Sequence, residues 1–199
     1  NTTHIQNMSK VLIGKQTTYF VLSADIDMQG IKWTPLNGDG PYEKWIIFDG
    51  RNHVIRNLTC DSGSYPSFFG VLCGECKNVG FVDANISSTN QGIGIIAGYV
   101  GLNSGAVGFT GKIINCYTTG ILKGSGAAGG IGGIFGGNGR IENCYTTATI
   151  IDQINADNGK AGGIIGRFHA GNTTSYIENC YVSGDISATK GGWVGGIVG

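Results

Sequence analysis

The sequence predicts an all-β fold, a parallel β-solenoid of the right-handed β-helix type with about five coils of roughly 30 residues. Three observations predict it. The pentapeptide Ile-x-Asn-Cys-Tyr occurs three times, a second motif ending in glycine alternates with it, and apolar residues lack the 3.6-residue period of helical repeats. We expect 1–199 to be one domain, with an irregular first coil and cap over 1–54 and repeats over 55–199.

The composition excludes several classes of protein. Glycine supplies 37 residues without a Gly-X-Y period, which excludes collagen, and 41% hydrophobic residues can bury a core, which argues against disorder. The 13 basic residues balance the 13 acidic ones, so the charge expected of a nucleic-acid binder is absent. No apolar run approaches the ~20 residues that span a bilayer. The chain reads as mature or trimmed, because it opens without Met or a signal peptide.

The first motif aligns on an asparagine. The predicted ladder is Asn57, Asn78, Asn115, Asn143 and Asn179. The positions immediately after the asparagines hold Leu58, Val79, Cys116, Cys144 and Cys180. Asparagine tolerates left-handed dihedrals and its amide can bond to a stacked neighbour. We therefore expect these asparagines to form a ladder at a bend of the coil.

The second motif closes each coil. Its final glycines are Gly70, Gly101, Gly136, Gly166 and Gly199, which lie 31, 35, 30 and 33 residues apart. The intervals vary because loops can lengthen outward at modest entropic cost while stacked strands stay in register. The chain stops in mid-unit at "GGWVGGIVG". We expect a further domain beyond that edge, or self-association through it.

At these residues the sequence resembles the GLUG-motif repeat family. The matching motifs are Gly133-Ile134-Phe135-Gly136, Gly163-Ile164-Ile165-Gly166 and Gly196-Ile197-Val198-Gly199, with Asn-Cys-Tyr between them. The family is associated with secreted or surface-anchored proteins of Bacteroides-like bacteria, many of them adhesin-like, and some repeats accompany immunoglobulin-cleaving metallopeptidases. The resemblance implies a secreted or cell-surface β-solenoid module, and it transfers no catalytic residue.

Six cysteines in a secreted chain would ordinarily indicate three disulfides. Here Cys116, Cys144 and Cys180 share a column with Leu58 and Val79, which predicts buried, free thiols. Cys60 matches Phe81 and Val182 in another interior column. The pair Cys73 and Cys76 in "CGEC" is the one place where a local disulfide stays open. No second CxxC or His follows at ligand spacing, so we expect no metal site and no cofactor.

The acidic pairs and the histidines are the candidate catalytic groups of the sequence. Glu142 and Glu178 share a column one coil apart, near the spacing of a retaining glycosidase, but like residues meet in any solenoid column. Asp25 and Asp27 echo part of a calcium loop, but simple strand alternation accounts for them. The three histidines share no column or motif. We therefore expect no catalytic residue.

The candidate binding residues are Tyr117, Tyr145 and Tyr181. Each follows an inward cysteine and should point outward, giving an aromatic stripe about 10 Å long. Such a stripe suits sugars or protein partners. Alternatively, and in keeping with how often tyrosine is half buried, loops such as 151–160 cover the stripe and make a second small core.

The predicted function is a non-enzymatic extracellular adhesion, recognition or scaffold module that binds a host or bacterial surface glycan or protein. The predicted partners include no nucleic acid, and the chain itself spans no membrane. The alternative is a polysaccharide-processing β-helix enzyme, a lyase or glycoside hydrolase, which would need a groove holding two close carboxylates with an Arg or Lys. A third possibility is a spacer that projects another domain.

Overall fold

The chain winds into a parallel β-solenoid, which confirms the predicted fold class. The computed structural model describes residues 1–12, 16–38, 44–90, 92–104, 107–153, 159–169, 174–188 and 192–199. One in-register column crosses every coil of the described chain at Tyr19, Ile47, Glu75, Lys112, Arg140 and Tyr176. The described residues therefore stack in six levels.

Short strands end at a corner of the coil, whereas the longest strands continue through a corner. The chain starts with helix α1 (Thr2–Gln6) and a 3-10 helix (Met8–Val11). Levels one to three contain β1 (Thr17–Val21), β2 (Ile26–Asp27), β3 (Trp45–Arg56), β4 (Thr59–Cys60), β5 (Phe69–Ser88), β6 (Ile93–Gly94) and β7 (Ala97–Val100). A hairpin, β8 (Leu102–Ser104) and β9 (Val107–Phe109), follows as the one antiparallel pair among the described strands.

Levels four to six repeat the same arrangement. Level four contains β10 (Gly111–Gly124), β11 (Ala127–Gly129) and β12 (Gly132–Phe135). Level five contains β13 (Gly139–Glu142), β14 (Tyr145–Thr146), β15 (Thr149–Asp152), β16 (Lys160–Gly162) and β17 (Ile165–Phe168). Level six contains β18 (Ser175–Glu178), β19 (Tyr181–Val182), β20 (Ile186–Ala188) and β21 (Trp193–Gly195).

The core is built from identical interior positions stacked on one another. One interior column runs through Phe48, Cys76, Ile113, Ile141 and Ile177. The first four of these side chains are fully buried, and Ile177 in the last level is partly buried. A coil cannot bury this face alone, so burial depends on the coils above and below it.

Residues 1–54 hold more regular structure than an irregular first coil. Residues 17–36 form the first level, and β3 begins the second level. A parallel bridge between Leu36 and Phe69 connects the two levels. Ahead of them, Ile5 and Met8 of the two short helices bury their side chains in the same core as the first level. The structure therefore divides this part of the chain into a helical cover, one coil and the start of another.

The second motif is in a different register from the one predicted. Strand pairing aligns Phe69, Ala97, Gly132, Ile165 and Val198, so the equivalent glycines are Gly70, Gly98, Gly133, Gly166 and Gly199. Gly101 and Gly136 lie three residues beyond this column, and their predicted alignment is wrong. At Gly166 a Cβ atom would lie 2.4 Å from the backbone nitrogen of Ala128, so the column marks a corner where backbones touch.

Candidate functional site

A ladder of asparagines forms one corner of the solenoid. Asn78, Asn115, Asn143 and Asn179 have φ of 54°, 53°, 53° and 52°, in the left-handed region that asparagine adopts more readily than most residues. The Asn115 Nδ2 atom donates to Asn78 Oδ1 at 3.1 Å, and Asn143 Nδ2 donates to Asn115 Oδ1 at 3.2 Å. The amides of Asn115 and Asn143 thus each tie their level to the level before it.

Asn57 does not belong to this ladder. Ile55 pairs with Phe81 and Arg56 with Val82, so Asn57 stands at the next corner, where its Nδ2 donates to Asp27 Oδ1 at 2.8 Å. In the second level the ladder continues to Asp49, whose Oδ1 accepts from Asn78 Nδ2 at 3.1 Å, and the register shifts so that residues 50–52 stand opposite Asn78. The predicted alignment of Leu58 with Val79 is wrong for the same reason, because Val79 pairs with His53.

Two residues beyond the ladder lies a row of stacked tyrosines, here called the tyrosine ridge: Tyr117, Tyr145 and Tyr181. The ring centroids are 5.0 and 4.9 Å apart and the ring planes are within 5° of parallel. Tyr117 and Tyr145 are half-buried, whereas the Tyr181 side chain is 56% exposed. Partial burial raises the pKa of Tyr145, and the two neighbouring phenols add to the shift.

The ridge rests on a glycine that sequence reasoning missed. A Cβ atom at Gly80 would lie 2.2 Å from Cζ of Tyr117, so the absent side chain makes room for the first ring. Gly80 directly follows Val79 in "NVG", the position that tyrosine takes in later coils, and that signal could have identified it. Because the rings stack face to face, the ridge presents ring edges and hydroxyls. Part of the loop expected to cover the ridge, residues 154–158, lies outside the described residues.

On the other side of the ladder, the predicted acid pair is joined by an arginine. Arg140 Nε lies 2.9 Å from Glu142 Oε2, and Arg140 Nη2 lies 2.9 Å from Glu178 Oε2. The three side chains are 43%, 23% and 54% exposed and sit on an outer sheet face. Exposed ion pairs of this kind add little stability. Their effect here is to offset part of the negative charge of the two carboxylates beside the ladder.

The cysteines are free thiols, as predicted for the Cys116 column. Cys116 and Cys144 are buried and Cys180 in the last level is half-buried. Contact with Cys116 raises the pKa of Cys144 to about 12, and burial raises the pKa of Cys116. Cys60 pairs with Ile86, so its predicted alignment with Phe81 is wrong.

The "CGEC" cysteines do not form a disulfide in this structure. Cys76 belongs to the main core, whereas Cys73 packs in a second, smaller cluster with Val71, Tyr99 and Ile134. Two side chains that enter different clusters point away from each other, which leaves both thiols free.

Asp25 forms a pair with a histidine of the second level. His53 Nδ1 lies 3.1 Å from Asp25 Oδ1, and the Val54 backbone N–H donates to the same oxygen. This backbone hydrogen bond, with the imidazole and Arg56, lowers the pKa of Asp25. Asp27 accepts from the Gln29 backbone and from Asn57, which together lower its pKa.

In the described part of the chain, no group of three or more His, Cys, Asp or Glu is placed to hold a metal ion. Neither short helix described above has the length and hydropathy of a bilayer-spanning helix.

Comparison with known proteins yields one informative match. No family model and no curated protein matches the chain. Among solved structures, the chain is similar to the 1.30 Å crystal structure of a protein described as a "putative immunoglobulin A1 protease" from Bacteroides ovatus. The two are 54% identical with a TM-score of 0.91, and the match covers 98% of this chain and 58% of that chain. The present sequence therefore spans little more than half the length of its Bacteroides ovatus neighbour.

This match contradicts the expectation that the protein is not an enzyme, because the similar protein is named as a protease. The expectation rested on the lack of a recognisable catalytic motif in the sequence. That reasoning is weak for a solenoid. Neighbouring side chains on its surface come from coils some 30 residues apart, so a site built there leaves no contiguous motif.

Proposed function

We propose that this chain is a recognition module of a secreted or cell-surface bacterial protein that acts on immunoglobulin A1, with the tyrosine ridge as its contact surface. The observation that carries the proposal is the stacking of three tyrosines in one outward column, with ring centroids 5.0 and 4.9 Å apart and with Tyr117 and Tyr145 still partly exposed. The identity of the partner comes from the name of the similar Bacteroides ovatus protein.

The ridge is suited to a protein partner by its rigidity and its chemistry. Tyrosine supplies a large contact area with few rotatable bonds, so little entropy is lost when a partner orders it. Here stacking on Gly80 and on neighbouring rings has already ordered the side chains. Ring edges and phenol hydroxyls fit the mixed apolar and polar centre of a protein interface, where tyrosine is often a hot spot.

Binding of the chain to immobilised immunoglobulin A1 tests the proposal. We expect Tyr181→Ala to weaken binding by about 30-fold, the loss of about 2 kcal/mol that defines a hot spot. Tyr145→Ala should weaken it as well, because Tyr181 then loses the ring that holds it in place. Biolayer interferometry gives both dissociation constants.

Tyr176→Ala is the matched control. Tyr176 lies in the same level and is 57% exposed, but it belongs to the outer column of Arg140 rather than to the ridge. Equal losses for Tyr176→Ala and Tyr181→Ala, or no binding of immunoglobulin A1 by the unmodified chain, would refute the proposed contact surface.

Proteolysis is a second candidate function, favoured by the name of the similar protein. The Asp25–His53 pair has the carboxylate-to-Nδ1 hydrogen bond that orients a histidine base in serine proteases. Incubating the chain with immunoglobulin A1 and analysing fragments by mass spectrometry tests this candidate. New fragments that disappear with His53→Ala would support it, whereas intact immunoglobulin A1 would leave recognition as the better account of this chain.

Membership of the GLUG-motif family is also part of the proposal. It is supported by Gly163-Ile164-Ile165-Gly166 and Gly196-Ile197-Val198-Gly199, which stack in register. Gly133-Ile134-Phe135-Gly136 supports it less well, because its first glycine, not its last, aligns with Gly166. The secreted or cell-surface location is proposed on the same basis.

A further inference from the structure

A second surface feature, here called the polar cleft, lies beyond the corner that follows the tyrosine ridge. Its side chains come from residues at or just after strand ends in four successive levels: Asp61, Ser87, Thr89, Asn90, Lys123 and Gln153. Ser87 pairs directly with Lys123, so the cleft runs along the stacking direction. Four levels span about 14 Å. The cleft is open to solvent on one side and has a volume of about 430 Å³, within the range of small-ligand sites, about 300–1,000 Å³.

The floor of the cleft is fixed by hydrogen bonds between levels. The backbone N–H of Ser125 donates to Ser88 O at 3.2 Å, and that of Gln153 donates to Gly124 O at 2.7 Å. On the wall, Asn90 Nδ2 donates to Gly63 O at 2.7 Å and the Asn90 backbone N–H donates to Ser88 Oγ at 3.1 Å. The backbone of the cleft and the Asn90 side chain are therefore ordered before a ligand enters, which lowers the entropic cost of binding there.

The lining defines the chemistry of that ligand. None of its described residues carries an aliphatic or aromatic side chain, so these residues offer no apolar surface to a lipid or an aromatic ligand. One carboxylate, Asp61, is balanced by one ammonium, Lys123, so the cleft favours neither an anionic nor a cationic polymer. The remaining groups are hydroxyls and amides, which both donate and accept hydrogen bonds.

We propose that the polar cleft binds a short segment of a neutral carbohydrate chain. The Asp61 carboxylate accepts hydrogen bonds from adjacent sugar hydroxyls, and the Lys123 ammonium donates to a hydroxyl or ring oxygen. Asn90 Oδ1 remains as an acceptor because its Nδ2 is held by Gly63. The site is separate from the tyrosine ridge and needs no immunoglobulin. Because the cleft offers no aromatic face on which a sugar ring could stack, we expect a dissociation constant in the millimolar range.

NMR titration of the ¹⁵N-labelled chain tests this site with three probes: maltotriose, triacetylchitotriose and, as an acidic counterpart, tri-galacturonic acid. We expect at least one neutral trisaccharide to shift the amide signals of residues 87–90 and 123–125 and of Gln153. Lys123→Ala should weaken that binding about ten-fold, the effect of losing one hydrogen bond to a charged group. Lys112→Ala is the matched control, because Lys112 is an exposed lysine of the same strand, β10, on another face.

Four results would overturn the proposal. The first three are the absence of shifts with both neutral sugars, preferential binding of tri-galacturonic acid, and shifts centred on the tyrosine ridge instead of the cleft. The fourth is an equal loss of binding for Lys112→Ala and Lys123→Ala. Because the probes are free sugars, failure here leaves the immunoglobulin test untouched, and failure of that test leaves this one untouched.

Discussion

Replacing Asn143 by alanine should destabilise the protein by about 2 kcal/mol. The residue has a φ of 53°, which costs an alanine about 1 kcal/mol or more. Its amide also donates to Asn115 Oδ1 at 3.2 Å, an exposed hydrogen bond that contributes about 0.5–1 kcal/mol. Glycine adopts this φ without steric cost, so Asn143→Gly should be more stable than Asn143→Ala by about 1 kcal/mol.

Urea unfolding followed by far-ultraviolet circular dichroism measures these differences. A loss of 2 kcal/mol should also lower the melting temperature by about 4–8 °C in a chain of this length. Asn85→Ala is the control, because Asn85 is exposed within β5 and lies outside the set of residues with positive φ. If the alanine and glycine variants of Asn143 were equally stable, the left-handed dihedral would not be the source of the effect. An equal loss with Asn85→Ala would refute the role of the ladder.

Two further predictions concern the ridge and the thiols. Gly80→Ala should cost about 1–3 kcal/mol in urea unfolding and weaken immunoglobulin A1 binding, because the new Cβ would lie 2.2 Å from Tyr117 Cζ. Gly196→Ala, with open space around its Cβ, should change neither, and equal losses in both variants would contradict the packing argument. The free energy of unfolding should fall by about 1 kcal/mol between pH 9 and 10 on account of Cys144. Its pKa is raised to about 12 in the fold, so only the unfolded thiol ionises in that interval. Cys144→Val should remove that part of the pH dependence, and an unchanged slope would refute it.

The architecture was predictable because strand stacking repeats side-chain types at fixed positions. Cys116, Cys144 and their tyrosine neighbours recur in one register, which is what pairing in the structure shows. The predicted alignment of the asparagine ladder is wrong where another asparagine fits the same sequence pattern. "VIRNL" resembles "IxNC" and so predicts Asn57, whereas the residue that bonds to the Asn78 amide is Asp49, the first residue of "DGRNH". Gly98 and Gly101, like Gly133 and Gly136, lie three residues apart, and either of each pair could end the motif.

The candidate sites were only partly predictable. The tyrosine ridge follows from alternation along the strand, but its edge-on presentation does not, because stacking along the solenoid axis depends on side-chain rotamers. The polar cleft left no pattern in the sequence. Its residues follow strand ends in coils of different length, and they share polarity without sharing a residue type. Arg140 was missed as the partner of Glu142 and Glu178 for a related reason, since ion pairing depends on the neighbouring level.

The asparagine ladder orients the tyrosine ridge. Variants of the two features can therefore distinguish an effect on stability from an effect on binding. Asn143 turns the chain two residues before Tyr145, so the left-handed corner sets the direction in which the tyrosine leaves the sheet. Asn143→Gly preserves that dihedral and should leave immunoglobulin A1 binding near its original strength despite lower stability. Gly80→Ala displaces the base of the ridge and should reduce binding even where the coil remains folded. Measured together, these two variants decide whether recognition depends on the position of the rings or only on the integrity of the solenoid. Equal loss of binding in both would favour the second.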